Sequence, residues 1–197
     1  IREDYSLFHA FNFKQRKEFN DCGYGLGSHW ARGTAWAIYG FAIAYSYTKD
    51  TRYKECAKKL LEKYLSELEQ RNQILPVWDF RLPKKTPALY CGKKVKEWDI
   101  TKEENTKYNI DTSAAIIICN AIEELIELNA LTGLEEKRFK AYQVALLDLI
   151  LKDYVNYDSN VPGILKYQNG NASYTCYGDY FLIQLLSYKA KGYYKIW

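Results

Sequence analysis

The sequence contains no methionine, not even an initiator, and only two histidines, His9 and His29. The missing methionine leads us to expect a fragment, a processed chain or an incomplete record. The shortage of histidine argues against a metal centre, because only these two imidazoles are available to join the cysteines as ligands. Those cysteines, Cys22, Cys56, Cys91, Cys119 and Cys176, show no C-x-x-C spacing. An odd, scattered set fits free thiols in a reducing compartment, and a cytoplasmic location is expected. Residues 35–45 form a strongly apolar run, well short of the about 20 residues that span a bilayer. The N-terminal IREDYSLF lacks a basic-then-apolar run, so no secretory leader is expected in it. Excess charge is also lacking: 28 Lys and Arg against 24 Asp and Glu give a formal +4, spread along the chain. Neither a nucleic-acid patch nor a polybasic membrane segment is present. G-x-S-x-G, a Walker loop and HExxH are all absent, which removes the commonest hydrolase and nucleotide signatures.

Aromatic residues are plentiful. Nineteen Tyr and five Trp, with Phe, give a 16% aromatic share. Tyr and Trp offer a flat apolar face with a polar tip, which suits sugar-binding clefts. Tyr-rich interfaces between helices account for the same composition. The 197 residues suffice for a single domain, 1–197, with a real hydrophobic core.

The chain alternates between two kinds of helical segment. SHWARGTAWAIYGFAIAY, residues 28–45, becomes apolar nearly all round, and Ser28 is the expected N-cap of a helix running to about Tyr47. In TRYKECAKKLLEKYLSELEQ, Tyr53, Ala57, Leu60, Leu61, Tyr64, Leu65 and Leu68 share one face and Lys and Glu cover the other. DTSAAIIICNAIEELIELNA is again of the buried type and is expected to stop at Gly133. LEEKRFKAYQVALLDLILKDY is amphipathic, and TCYGDYFLIQLLSYKA closes the series as a third buried-type segment. Inner helices shielded by an outer layer predict an all-α toroid, of which this chain supplies an arc. Two long connections, 73–110 and 154–173, are expected to build a ligand cleft at one rim. The second carries Pro162-Gly163 and Asn169-Gly170 and predicts a short hairpin.

Arg32 is the anomaly of the first helix: a permanent cation at the mouth of a buried segment. Trp36, four residues on, falls on the same helix face, whereas Trp30 is expected to turn away. A guanidinium beside an indole suits a planar carboxylate, gripped through two parallel hydrogen bonds while the sugar ring stacks on Trp36. A buried ion pair with an Asp on another helix is the plainer alternative. Asp79, Asp111 and Asp179 are further cleft candidates. Asp111 is more simply an N-cap, and Asp179 is placed to pair with Arg32 or to hold a tyrosine. His9 lies among aromatics in a loop-like segment.

Four motifs in this order, SHWARGTAWAIYGFAIAY, VWDFRLP, DTSAAI and CYGDYFL, resemble the C-terminal half of glycoside hydrolase family 88, the unsaturated glucuronyl hydrolases. The likeness covers nearly the whole chain, and WARG-x-AW with YGDY is its most specific part. The sister family 105, the unsaturated rhamnogalacturonyl hydrolases, tends toward G-N-G-W where this chain has Gly33-Thr34-Ala35-Trp36. The resemblance implies an (α/α)6 barrel, about half of whose helices are in this chain. It implies removal of a 4,5-unsaturated uronic acid from oligosaccharides made by polysaccharide lyases. An aspartic acid protonates C4 of the vinyl ether and assists water addition at C5, and the resulting hemiketal opens and releases the next sugar. No metal or organic cofactor is implied. His9, Arg32 and Trp36 match the family's substrate-contacting histidine, carboxylate-side arginine and stacking tryptophan.

Two departures bear on substrate preference: Cys22 and Thr34 stand where family members often have Gln. The family's acid/base aspartate and its companion lie upstream of the histidine segment, so no catalytic residue is expected in this chain. The expected partners are an unsaturated uronate-containing oligosaccharide and the missing N-terminal half, with neither nucleic acid nor membrane. A non-catalytic carbohydrate-binding remnant is the alternative from another class. A helical-repeat interaction module ranks last, because the buried-type segments start at uneven spacing.

Overall fold

The computed structural model describes residues 1–19, 23, 26–81, 110–168 and 174–191, with the backbone of four short strands between 85 and 99. Five α-helices lie among these residues: α1 (Ala31–Thr48), α2 (Thr51–Gln70), α3 (Thr112–Glu127), α4 (Gly133–Leu149) and α5 (Cys176–Lys191). Helix α1 packs against α2 on one side and α3 on the other, and α3 packs against α4 and α5. The helices of buried-type sequence, α1, α3 and α5, therefore form one connected row, with α2 and α4 behind it. This is the alternation that the hydrophobic patterning predicts.

Burial follows the sequence periods closely. Helix α2 buries Ala57, Leu60, Leu61, Tyr64, Leu65 and Leu68, the face read from its 3.6-residue spacing. Helix α3 has almost no solvent face: every residue from Thr112 to Ile122 is buried. It is the centre of the core, with Ile116, Ile117, Ile118 and Ile122 fully enclosed. Each such aliphatic side chain contributes about 1.5–3 kcal/mol relative to exposure.

The helix ends show where local rules hold and where tertiary pairing overrides them. Asp50 caps α2 and Asp111 caps α3, each side chain accepting a backbone N–H of the first turn. Ser28 does not cap α1. The residue before that helix is Trp30, which has no side-chain cap bond. The segment 29–31 is instead stitched to 78–80: Ala31 N–H donates to the Trp78 carbonyl, Phe80 N–H to the His29 carbonyl, and His29 N–H to Asp79 Oδ1. This pairing uses the N–H groups that a cap would serve, so the helix starts two residues late. Gly133 does not stop a helix either. It opens α4, where Thr132 and Glu135 form a reciprocal capping box. Helix α3 ends earlier, at left-handed Asn129, and Ala130 N–H returns to the Leu125 carbonyl.

The N-terminal segment, loop-like around His9 by its sequence, contains a small hairpin, β1 (Ala10–Asn12) against β2 (Lys17–Phe19), closed by left-handed Arg16 and a bond from Gln15 N–H to Asn12 Oδ1. Within 73–110, β3 (Lys85–Thr86) pairs with β6 (Trp98–Asp99), and β4 (Leu89–Tyr90) with β5 (Lys93–Lys94). After α4 a π-turn (Ile150–Tyr154) leads into the expected hairpin-like return, where Val155 bridges Leu165. Pro162-Gly163 lies in that turn, while Asn169-Gly170 falls outside the described residues. No helix among the described residues is long and apolar enough to cross a membrane.

Candidate functional site

A cleft of about 240 Å³ opens at the N-terminal mouth of α1, lined by Leu7, Phe8, His9, Trp30, Gly33 and Trp36. Two of the three sequence-predicted binding residues, His9 and Trp36, thus meet in one cavity. Trp36 reaches it from the second turn of α1, with Phe181 and Tyr177 of α5 edge-on behind it at ring distances of 5.3 and 6.0 Å. These contacts fix the indole while leaving it half-buried. His9 sits edge-on to Trp30 with ring centroids 4.6 Å apart.

Trp30 does not turn away. Its ring folds back over the first turn of α1 because residue 33 is a glycine: a Cβ there would come within 2.5 Å of Trp30 Cε3. The error follows from the misplaced cap. With Ser28 as N-cap, Trp30 counts as a helical residue on another face. With Trp30 itself at the cap position, its side chain is released to lie along the helix mouth. Trp30, Leu7 and Phe8 are cleft residues that spacing alone did not select. The W-A-R-G run carried the signal, since a glycine three residues after a tryptophan leaves room for the ring.

Arg32 is not a wall of the cleft. It lies behind it, with its guanidinium carbon 5.0 Å from the Trp30 ring centre and 5.5 Å from that of Tyr177. Its Nη1 donates to Asp111 Oδ2 at 2.7 Å, to the Gln168 carbonyl at 2.8 Å and to Ser113 Oγ at 3.3 Å. The side chain is 6% exposed and that of Asp111 not at all. The buried ion pair to another helix, the plainer of the two sequence readings, is therefore present. Burial pushes the Asp111 carboxyl above its usual range, against the pull of Arg32, Ser113 and the Ala114 N–H.

Among the described residues, Asp179 neither pairs with Arg32 nor holds a tyrosine. Its carboxylate accepts the backbone N–H groups of Ile164 and Leu165 at 3.1 and 2.8 Å and the Gln168 amide at 3.0 Å. It clamps the 164–168 return onto the start of α5. Gly178 allows this closeness, as a Cβ there would fall 1.8 Å from Gln168 Oε1. Asp79 is wholly buried and accepts from the N–H groups of His29 and Arg81, so it organises the turn before α1. His29 is buried against Phe80, away from the cleft lining, with Nδ1 3.7 Å from Glu67. Burial drives the Cys119 thiol well up, which keeps it protonated and unreactive. Cys22, one of the two positions that depart from the family pattern, lies outside the described residues. Thr34, the other, is buried and bonds the Trp30 carbonyl at 3.0 Å.

Fold and site together define a class: an arc of a double-layered helical ring with an aromatic cleft at the mouth of an inner helix. Comparison with solved structures places that arc in the (α/α)6 glucuronyl hydrolase fold. The crystal structure of an unsaturated glucuronyl hydrolase from Bacillus sp. GL1, described as responsible for the degradation of glycosaminoglycan, matches with a TM-score of 0.73 at 24% identity. The match covers 98% of this chain and 48% of that one. A variant of a Streptococcus agalactiae unsaturated glucuronyl hydrolase complexed with dGlcA-GalNAc6S matches at 0.72 and 21% identity, covering 100% of this chain and 50% of that one. Among curated proteins, the chain is 28% identical over 207 residues to an unsaturated glucuronyl hydrolase of Formosa agariphila, covering 96% of this chain and 44% of that protein. It is 26% identical over 199 residues to an unsaturated chondroitin disaccharide hydrolase of Streptococcus pyogenes serotype M1, covering 94% and 44%. No protein-family model matches. The chain is thus similar, over nearly all its length, to unsaturated glucuronyl hydrolases of family 88, and spans a little under half the length of the curated relatives it matches.

Proposed function

We propose that residues 1–197 form one domain, the C-terminal portion of an (α/α)6 glycoside hydrolase of the unsaturated glucuronyl hydrolase type. It holds the 4,5-unsaturated uronic acid that ends oligosaccharides made by polysaccharide lyases. The observation that carries this is the cleft itself: His9, Trp30 and Trp36 converge on one cavity at an inner helix mouth, with the Arg32 guanidinium directly behind Trp30. The sugar ring stacks on the indoles, His9 contacts its edge, and Arg32 supplies the positive end toward the carboxylate. Vinyl-ether hydration then needs a proton at C4. The aspartate that supplies it belongs to the other half of the ring, in the same polypeptide or as a partner. Asp79, Asp111 and Asp179 support the fold in this scheme and do not touch the reacting atoms. The free thiols Cys56, Cys119 and Cys176 support a cytoplasmic setting.

The test combines binding and turnover. Calorimetric titration of the 197-residue chain with an unsaturated chondroitin disaccharide is expected to show saturable binding. Absorbance of the conjugated double bond is expected to stay constant. No binding would remove the proposal; bleaching by this chain alone would show that the acid lies within it.

A further inference from the structure

We propose that the aromatic strip Phe8–Phe11–Phe13 extends the cleft onto the β1–β2 hairpin and forms an outer subsite for the sugars that follow the uronate in an acidic oligosaccharide. This rests on the uronate reading of the cleft and adds the direction in which the bound chain leaves it. Phe8 is a wall of the cleft. Its ring centre lies 5.0 Å from that of Phe11, and Phe11 lies 5.4 Å from Phe13. The run F-H-A-F-N-F explains the line. In extended backbone, side chains two residues apart point the same way, so Phe11 on β1 and Phe13 just beyond it share a face. Phe8 and Phe11 are half-buried, whereas Phe13 is 85% exposed. The strip thus runs from the cavity out to solvent, in steps that match the length of a pyranose ring.

The strip is fixed to the cleft. Arg2 lies over the Phe8 ring, its guanidinium carbon 4.3 Å from the ring centre. The same guanidinium donates to the carbonyls of Leu7 and Ser28 at 2.7 and 3.0 Å and to Glu18 of β2 at 2.6 Å. The other oxygen of Glu18 accepts the Gly27 N–H at 3.1 Å. One arginine therefore ties the cleft wall, the segment before α1 and the hairpin together. A platform ordered in advance costs less entropy on binding than one assembled around its ligand. Its chemistry is that of a sugar site, since exposed aromatic faces stack on the apolar faces of pyranose rings. Its width points the same way. Glu18, and not a second apolar residue, stands opposite Phe11 in the hairpin, so the apolar surface is one ring wide. A narrow strip that opens into a cavity suits a chain of sugars, whereas a stable protein partner buries a broad face. The hairpin turn adds Lys14, Arg16 and Lys17, all exposed, whose field draws an acidic chain in preference to a neutral one.

The test is a comparison of chain lengths. The calorimetric Kd of the 197-residue chain is measured for an unsaturated chondroitin disaccharide and for the tetrasaccharide that carries the same terminal uronate. The wild type is expected to bind the tetrasaccharide about 3–10-fold more tightly. Phe13→Ala, at an exposed position where the fold loses nothing, is expected to abolish that gain while changing the disaccharide Kd by less than about 2-fold. Phe13→Trp restores a ring and is expected to restore the gain. Raising the salt from about 0.05 to about 0.5 M is expected to shrink the gain at least about 2-fold, because the basic turn is solvent-exposed. Equal affinity for the two ligands, a gain that survives Phe13→Ala or one that ignores salt would overturn the proposal. So would a Phe13→Ala chain that loses self-association in sedimentation while its tetrasaccharide Kd is unchanged, which would assign the strip to a protein contact. Failure to bind either ligand removes the uronate reading and this inference with it. Binding of the disaccharide without any tetrasaccharide gain removes only the outer subsite.

Discussion

At the residue scale, the cleft depends on two indoles held at fixed angles. Trp36→Ala removes a stacking face backed by Phe181 and Tyr177. Aromatic contacts of this kind are worth about 0.5–1.5 kcal/mol, so titration should show Kd for the disaccharide rising by about 2–10-fold. Gly33→Ala should weaken binding too, without touching the ligand, because the new methyl displaces the Trp30 ring. A second prediction concerns pH. Burial alone would raise the pKa of Glu67, but contacts with His29 and Lys63 outweigh it and hold the group at about 2, below the ordinary 4.5. A carboxylate depressed on folding stabilises the protein above its unfolded pKa, and this contribution fades as pH falls from about 4.5 toward about 2. Urea midpoints of wild type and Glu67→Gln should therefore differ at pH 7 and converge near pH 2; a constant gap contradicts the assignment. The residue scale is also where sequence reading was least complete. His9 and Trp36, read from the sequence as substrate-binding residues, both line the cleft. Trp30 was set aside because the start of α1 is decided by pairing with residues 78–80, some fifty positions away, which no local propensity encodes. Arg32 carried two readings because a lone cation near an indole looks the same whether its partner is a ligand or an Asp on another helix.

At the element scale, helical periods were legible wherever one face is wet and the other dry. Helix α2 buries the face its spacing defines, and α3, apolar on every side, is the enclosed centre. Boundaries were less legible: Gly133 follows a threonine that forms a capping box with Glu135, so the same glycine fits the end of one helix or the start of the next. The N-terminal hairpin was missed because strands of three residues are too short for period-2 alternation to stand out. Thr132→Ala should lower stability by about 1 kcal/mol in chemical denaturation, since it leaves an N–H of the first turn without its acceptor. Ile117→Ala, in the fully buried face of α3, should cost about 2–5 kcal/mol. Leu134→Ala, 84% exposed, should cost close to nothing. Equal losses at 117 and 134 would mean that the row α1–α3–α5 is not the core.

At the scale of the whole molecule, the alternation of buried-type and amphipathic helices was enough to predict an arc of a double-layered ring. The positioning of the rim loops was not legible. Gln168 connects the 164–168 return to both Arg32 and Asp179, and those contacts arise only once α1, α3 and α5 stand side by side. Apolar side chains also remain exposed on helices of the row: Ile183 on α5 and Tyr47 on α1 are 51% and 60% exposed. Sedimentation velocity of the isolated chain should accordingly show concentration-dependent association, which Ile183→Lys reduces. The claim on which all of this depends is that the cleft at the mouth of α1 holds an unsaturated uronic acid. A crystal structure of the chain with an unsaturated chondroitin disaccharide tests it most directly. The account predicts the uronate ring against Trp30 and Trp36, its edge toward His9 and its carboxylate on the Arg32 side. A ligand bound anywhere else, or a cleft left empty at saturating disaccharide, would contradict it.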